Sequence, residues 1–365
     1  MPAVPSDHWP LAAGIALDFG SPEVSVGDQL RRYLPLIATA EQGGFGSIWL
    51  GETYSRAAPE EAFHLPSPFG VLGALSQHTG MRLGTGVLLA LAWPPLRLAY
   101  EAAVLDQLTQ GRLVVGLGLG PAPLAARFGT APAGPGPWIE ESLAALRALW
   151  AGQDGYRGAT LEVAGGIFPR PAQPGGPPLL VGGGRVLSAR RAARLGDGWY
   201  ASSAHPFERI AQLAAAYRAE RAALDKAAAG GRTGGAAGST AGEPRRAPTV
   251  SVNRITIVAP EQRQAEELAR TYAGRLLAHY GRLGALPDFP AAATLGPDEA
   301  FATVGPHVAL VGTPAMVAEK LAAYHEAGVT DVAFRVCPPG LPLDAARRTV
   351  DLLAGEVLGS LGPAR

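Results

Sequence analysis

The chain is poor in cysteine, methionine and charge. Its 365 residues include one cysteine, Cys337, and three methionines. A single thiol can form no intramolecular disulfide and supplies no cysteine-based zinc site, so neither staple is expected. Among the histidines, His8, His78, His279, His307 and His325 show no HExxH-type spacing, and none is assigned to a metal. Net charge is lacking too. Lys+Arg and Asp+Glu both number 31 and sum to zero, without the basic excess of a nucleic-acid binder. No run approaches the roughly 18 uninterrupted apolar residues of a membrane helix. Residues 1–18 show no basic leader followed by a long apolar stretch. These absences predict a cytoplasmic protein with no nucleic-acid or membrane partner, and leave a small-molecule substrate open.

What the chain has in quantity is apolar surface and punctuation. Hydrophobic residues make up 47% of it, enough to bury a core. Short apolar runs, separated by Gly and Pro, predict strands over 14–17, 47–50, 82–88, 113–117, 179–181, 198–201, 250–257 and 331–336. Most are followed by a helix-length pattern. Leu96, Ala99, Tyr100, Ala103, Val104 and Leu108 share one helical face, with Pro94 and Pro95 at its start and Gly111 at its stop. Thr313 and Pro314 open a last helix with a buried stripe of Val317, Leu321 and Tyr324, ended by Gly328. Pro35 predicts that the first helix either begins near Leu34 or is kinked. Strands alternating with helices imply a parallel sheet, and eight such units favour a closed (β/α)₈ barrel, an α/β TIM barrel with insertions, as one domain over 1–365. Residues 156–178, rich in Gly and Pro, predict a hairpin or extended excursion. Residues 226–248 hold little besides Ala, Gly, Thr, Ser and Arg, and predict a flexible insertion.

Three stretches read together carry a family pattern: AEQGGFGSIWLGE at 40–52, RLGTGVLLALAWPPLRLAYEAAVLDQLTQGRLVVGLGLG at 82–120, and PLLVGGGRVLSARRAARLGDGWY at 178–200. A weaker fourth is 310–336, with its VGTP turn. The chain resembles the luciferase-like monooxygenase superfamily, and within it the branch that uses the deazaflavin F420. The resemblance spans about residues 14–336. It implies a barrel, commonly dimeric, that binds a tricyclic cofactor at the C-terminal mouth of its strands: coenzyme F420, or FMN as the alternative.

Gly182, Gly183 and Gly184 end the fifth strand, where backbone N–H groups and a helix start can cradle a phosphate and Arg185 adds a cation. The same glycines also suit a plain tight turn. The resemblance assigns them to the cofactor phosphate. Gly84 and Gly86 mark a bulge or a close backbone approach. By resemblance the Gly86–Val87 bond is a cis peptide supporting the deazaflavin ring. Glu52, at the end of strand two, is a candidate catalytic residue or else a cap or surface ion pair. Asp18 is a candidate cofactor-binding residue at the mouth. His64 and His205 are substrate-binding candidates there, and each also suits a solvated loop. Arg112 is read as structural, tying a helix end to the barrel bottom. The GLGLG run at 116–120 is no dinucleotide fingerprint, because no acidic residue follows at the right distance.

Two positions depart from the family pattern. Thr53 stands where many relatives follow the acidic residue with His, and Pro121 stands where some sugar-phosphate dehydrogenases have a catalytic Glu. Both losses fit reduction by an F420-dependent oxidoreductase better than dehydrogenation. A reduced-FMN two-component monooxygenase and a catalytically silent cofactor-binding barrel are the alternatives.

Overall fold

Eight parallel strands close on themselves in the computed structural model, which describes residues 11–20, 24–53, 65–130, 134–229 and 246–359. In chain order they are β1 (Ala12–Ala16), β2 (Ser47–Leu50), β3 (Arg82–Thr85), β5 (Leu113–Gly118), β8 (Leu179–Gly182), β9 (Gly198–Ala201), β10 (Thr249–Val258) and β12 (Asp331–Arg335). Each pairs with the next, and β12 returns to β1 with Ala12 opposite Asp331. The short β4 (Leu88–Leu89) continues β3 beyond a break and pairs with β5, so the strand expected over 82–88 is two pieces. β6 (Gly155–Arg157) and β7 (Glu162–Ala164) form the antiparallel hairpin expected in the Gly/Pro-rich stretch. A ninth parallel strand, β11 (Ala309–Gly312), pairs only with the far end of β10. Sequence reading took that segment as a turn.

The helices of the barrel units are α1 (Val26–Gln42), α2 (Pro68–Leu75), α3 (Pro95–Leu108), α4 (Pro123–Phe128), α5 (Pro135–Trp150), α6 (Val186–Leu195), α7 (Phe207–Ala229), α8 (Gln262–Leu268), α9 (Gly274–Arg282), α10 (Pro297–Val308), α11 (Pro314–Glu326) and α12 (Leu343–Leu352). α1 starts at Val26 behind the N-cap Ser25 and runs through Pro35, which sits on its exposed side. The buried face of α3 is Leu98, Ala99, Ala102, Ala103 and Leu105, whereas Leu96, Tyr100 and Leu108 are exposed. The expected apolar face therefore splits, with half of it pointing away from the barrel. α11 matches its expectation, with Thr313 capping the Met316 N–H and Val317, Leu321 and Tyr324 buried. α7 extends to Ala229, so the segment expected to be flexible begins inside a helix, and residues 230–245 of it lie outside the described residues. Among the described residues no helix is long and apolar enough to cross a membrane.

The barrel interior is filled by Ala16, Trp49, Val114, Leu180, Tyr200 and Ala333, with Val87 packed on them. Eight strands leave room for little more. Trp49 occupies space that side chains on neighbouring strands would need, and a Cβ on Gly84 would fall inside its ring. At the barrel bottom Arg112 donates to the carbonyls of Ser76, Thr79 and Met81, the structural role expected of it.

Candidate active site

At the C-terminal ends of β3 and β5, Thr85 stands in for the missing ladder. Its hydroxyl donates to the Gly116 carbonyl at 2.9 Å and accepts the Gly116 N–H at 2.8 Å. The next peptide, Gly86–Val87, is cis, as the family pattern implied. Val87 turns its methyls inward over glycines on two neighbouring strands. A Cβ on Gly118 would lie 2.9 Å from Val87 Cγ2, and one on Gly182 would lie 3.3 Å from Cγ1. The glycines of β5 and β8 thus make a shallow, side-chain-free floor around Val87. Gly86 itself rests on the Tyr200 phenol, leaving no room for a side chain.

Glu52 lies beside this floor. It is buried, its Oε2 accepts the Leu89 N–H at 2.8 Å, and the Trp93 indole N–H points at both carboxylate oxygens from 3.1 Å. The carboxylate is therefore committed to fastening β4 and the turn after it to the end of β2.

The Gly182–Gly184 turn lies next to Val87 and leads into α6. Gly183 has φ +149°, and a Cβ there would lie 2.5 Å from Ser188 Cβ. Trp199 donates its indole N–H to the Gly183 carbonyl at 2.9 Å. In a trans peptide the following N–H points the opposite way, so the Gly184 N–H faces away from Trp199. Among the described residues the N–H groups of Gly184 and Arg185 make no backbone hydrogen bond outside the helices and strands. Together with the first turn of α6 they form an array of donors at a helix start. The Arg185 side chain is exposed.

Asp18 and His205 both reach this end of the barrel, and His64 lies outside the described residues. Asp18 is buried in a two-pronged ion pair with Arg335, at 2.7 and 2.8 Å, and Arg335 also donates to the Tyr280 hydroxyl. Burial pulls the guanidinium down, but Asp18 and Tyr280 more than reverse it, so Arg335 is raised above its ordinary value and stays charged. His205 is buried against Gly184, with Nδ1 3.3 Å from Asp288 Oδ2. Burial lowers its pKa against the opposing pull of Asp288, while Arg254 and Arg209 add to the lowering. The loop carrying it is clamped by the fully buried Arg254, which donates to the carbonyls of His205 (2.8 Å) and Ser203 (3.3 Å) and to the Tyr324 hydroxyl (2.6 Å).

Sequence reasoning missed Arg335, Arg254, Tyr200 and Asn253. Tyr200 Oη and Asn253 Oδ1 are buried beside one another in the barrel, with no well-formed hydrogen bond among the described residues. Burial pushes the Tyr200 phenol up, so it stays protonated. A period-2 count along β9, β10 and β12 would have put Tyr200, Asn253 and Arg335 on the inward face.

The chain is 28% identical over 302 residues to the uncharacterized protein y4wF of Sinorhizobium fredii, covering 81% of this chain and 83% of that one. It is 30% identical over 155 residues to the oxygenase component of the flavin-dependent trigonelline monooxygenase of Acinetobacter baylyi, 40% of this chain and 41% of that protein. It is 31% identical over 181 residues to the F420-dependent glucose-6-phosphate dehydrogenase of Intrasporangium calvum, 45% of this chain and 51% of that protein. Among solved structures, the monooxygenase RslO1 of Streptomyces bottropensis superposes with a TM-score of 0.74 at 25% identity, covering 96% of this chain and 99% of that one. The sequence profile of the luciferase-like monooxygenases matches residues 12–331, and the chain belongs to that family.

Proposed function

We propose that this chain is an F420-dependent oxidoreductase that reduces a small organic substrate. The observation that carries the reading is the contiguity of the glycine-lined floor around Val87 with the turn at Gly183 and Gly184 that opens α6. Gly182 touches both. A flat ring and an anionic tail joined in one molecule suit that pair of surfaces. The donors of Gly182–Gly184 and Arg185 would hold the tail phosphate, and Gly86–Val87 would support the ring. When bound, the deazaflavin supplies hydride at C5. The chain's own part is to orient the ring and substrate and to keep water from the floor. Glu52 acts as a positioning residue, fixing β4 beside the floor, and Asp18 holds Arg335 at the rim.

A reduced-FMN monooxygenase is the second reading. It is favoured by the monooxygenases among the relatives, of which the trigonelline enzyme is flavin-dependent. Spectroscopic titration with F420 and FMN side by side decides between them. Tighter binding of F420, and oxidation of its reduced form by an organic acceptor, is the expected result. Preference for FMN hands the assignment to the monooxygenase, and binding of neither overturns both. Because Gly183 has no room beside Ser188, a side chain there would disturb the turn itself, so the titration is the cleaner test.

We also propose a homodimer. Leu96, Tyr100 and Leu108 recur at four- and eight-residue steps on the exposed side of α3, the spacing of one helical face. A second copy covering that stripe is expected, and Tyr100→Glu should shift the sedimentation coefficient to that of a monomer.

A further inference from the structure

Of the two ring nitrogens of His205, only Nδ1 has a hydrogen-bond partner among the described residues. The side chain is 8% exposed. Its Nε2 lies over Gly184, in the space a Cβ there would occupy. The ring is held from both ends, by Asp288 at Nδ1 and by Arg254 through the His205 carbonyl. An Asp-bound Nδ1–H leaves Nε2 as a lone pair in the neutral ring and makes it a donor in the imidazolium. This oriented nitrogen, with no hydrogen bond to the protein among the described residues, is thus aimed at the turn that carries the Gly184 and Arg185 N–H groups.

We propose that His205, through Nε2, is a side-chain ligand of the phosphoryl group on the cofactor's ribityl tail, and that it takes up a proton from solvent as that group binds. The inference rests on the tail placement proposed above, and it reassigns His205 from substrate to cofactor. It does not depend on which cofactor is used, because F420 and FMN both carry a phosphorylated ribityl chain. The charged groups facing the ring are Asp288, Arg254 and Arg209. The two arginines favour the neutral ring in the free protein. Arg209 Nε is itself buried with no hydrogen-bond partner among the described residues. An arriving phosphoryl anion offsets both cations and stabilises the imidazolium.

The test compares phosphorylated and unphosphorylated ligands by fluorescence titration: F420 and FMN against the deazaflavin nucleoside and riboflavin. His205→Ala should weaken F420 and FMN about tenfold or more, the worth of a charge-assisted hydrogen bond, and leave the two unphosphorylated ligands unchanged. Gly184→Ala, which pushes the ring aside, should give the same selective loss. F420 affinity of the parent should fall from pH 6 to pH 8, by no more than about tenfold per unit. His205→Gln should abolish that slope. The F420 phosphodiester does not titrate in this range, so the slope belongs to the protein. Equal losses for ligands with and without phosphate, or an unchanged slope in His205→Gln, would overturn the proposal. If neither cofactor binds, the functional reading above falls. The imidazole ¹⁵N shifts of His205 titrated with inorganic phosphate then decide this one: movement toward the imidazolium upholds it, and no movement ends it.

Discussion

Two buried carboxylates stand at strand ends on the same rim, and they are held in opposite ways. Asp18, after β1, faces a guanidinium in two-pronged geometry. Glu52, after β2, accepts from an amide N–H and an indole N–H. The first is matched to a guanidinium, and the second takes up an amide and an indole N–H. The difference decides what each can be used for. A carboxylate set against a guanidinium fixes a cation, whereas one that accepts backbone and indole donors fixes the chain. The sequence shows both simply as acids at strand ends.

The comparison breaks most visibly through Asp18. Asp18→Asn leaves Arg335 buried without its counter-charge and should cost about 3–5 kcal/mol in urea unfolding. Pairing it with Arg335→Met should recover much of that loss. If the single variant costs no more than an exposed ion pair would, Arg335 has water or another acceptor. Glu52→Gln should cost less, about 1–3 kcal/mol, because one amide group must now face two donors. Its cofactor affinity should change little. A fall in turnover of about 10²–10⁴-fold at unchanged stability would instead make Glu52 a proton relay.

Tyr200→Phe comes next in size. Its hydroxyl makes no well-formed hydrogen bond among the described residues, with Asn253 beside it, so removing it should be neutral or stabilising by about 1 kcal/mol or less. A clear destabilisation would mean that the hydroxyl binds an ordered water. The smallest effect concerns a third carboxylate, Asp288, whose partner His205 is held neutral by burial. A histidine pKa lowered in the fold means that the unfolded chain binds the extra proton first. The stability gained by keeping His205 neutral is complete above the ordinary value near pH 6.5. It is lost as pH falls through the lower folded value. Thermal unfolding of His205→Gln from pH 7 to pH 5 should show a shallower decline than the parent.

The barrel was legible in the sequence because its eight strands are short apolar runs set apart by glycine and proline. β11 was hidden because ALVG leads straight into the VGTP turn, which dominated the reading. α3 misled for a physical reason: apolar periodicity reports a face to be covered, not which molecule covers it. The floor was readable in part: Gly86, Val87 and Gly182 stand out in two separate stretches, whereas Gly118 reads only as part of a run that is no dinucleotide fingerprint. The ion pair was not, because Asp18 and Arg335 lie 317 residues apart in the chain and meet only when β12 closes on β1. Arg254 was equally silent. An arginine inside a strand reads as polar and outward, and nothing local says that three oxygens are waiting for it.

β10 has a consequence for how the mouth can move. Its first residues are bonded to β9, its middle to β12, and from Ile255 onward to β11, with Arg335 opposite the same Ile255 where β12 leaves it. The strand therefore belongs to two cooperative units, a lower one sewn into the closed ladder and an upper one sewn to β11 and its helices. Separating them beyond Ile255 leaves every rung of the closed barrel in place. The upper unit can therefore open as a subglobal foldon while the cylinder beneath stays shut, and hydrogen exchange at residues 256–258 ahead of 250–255 would reveal it.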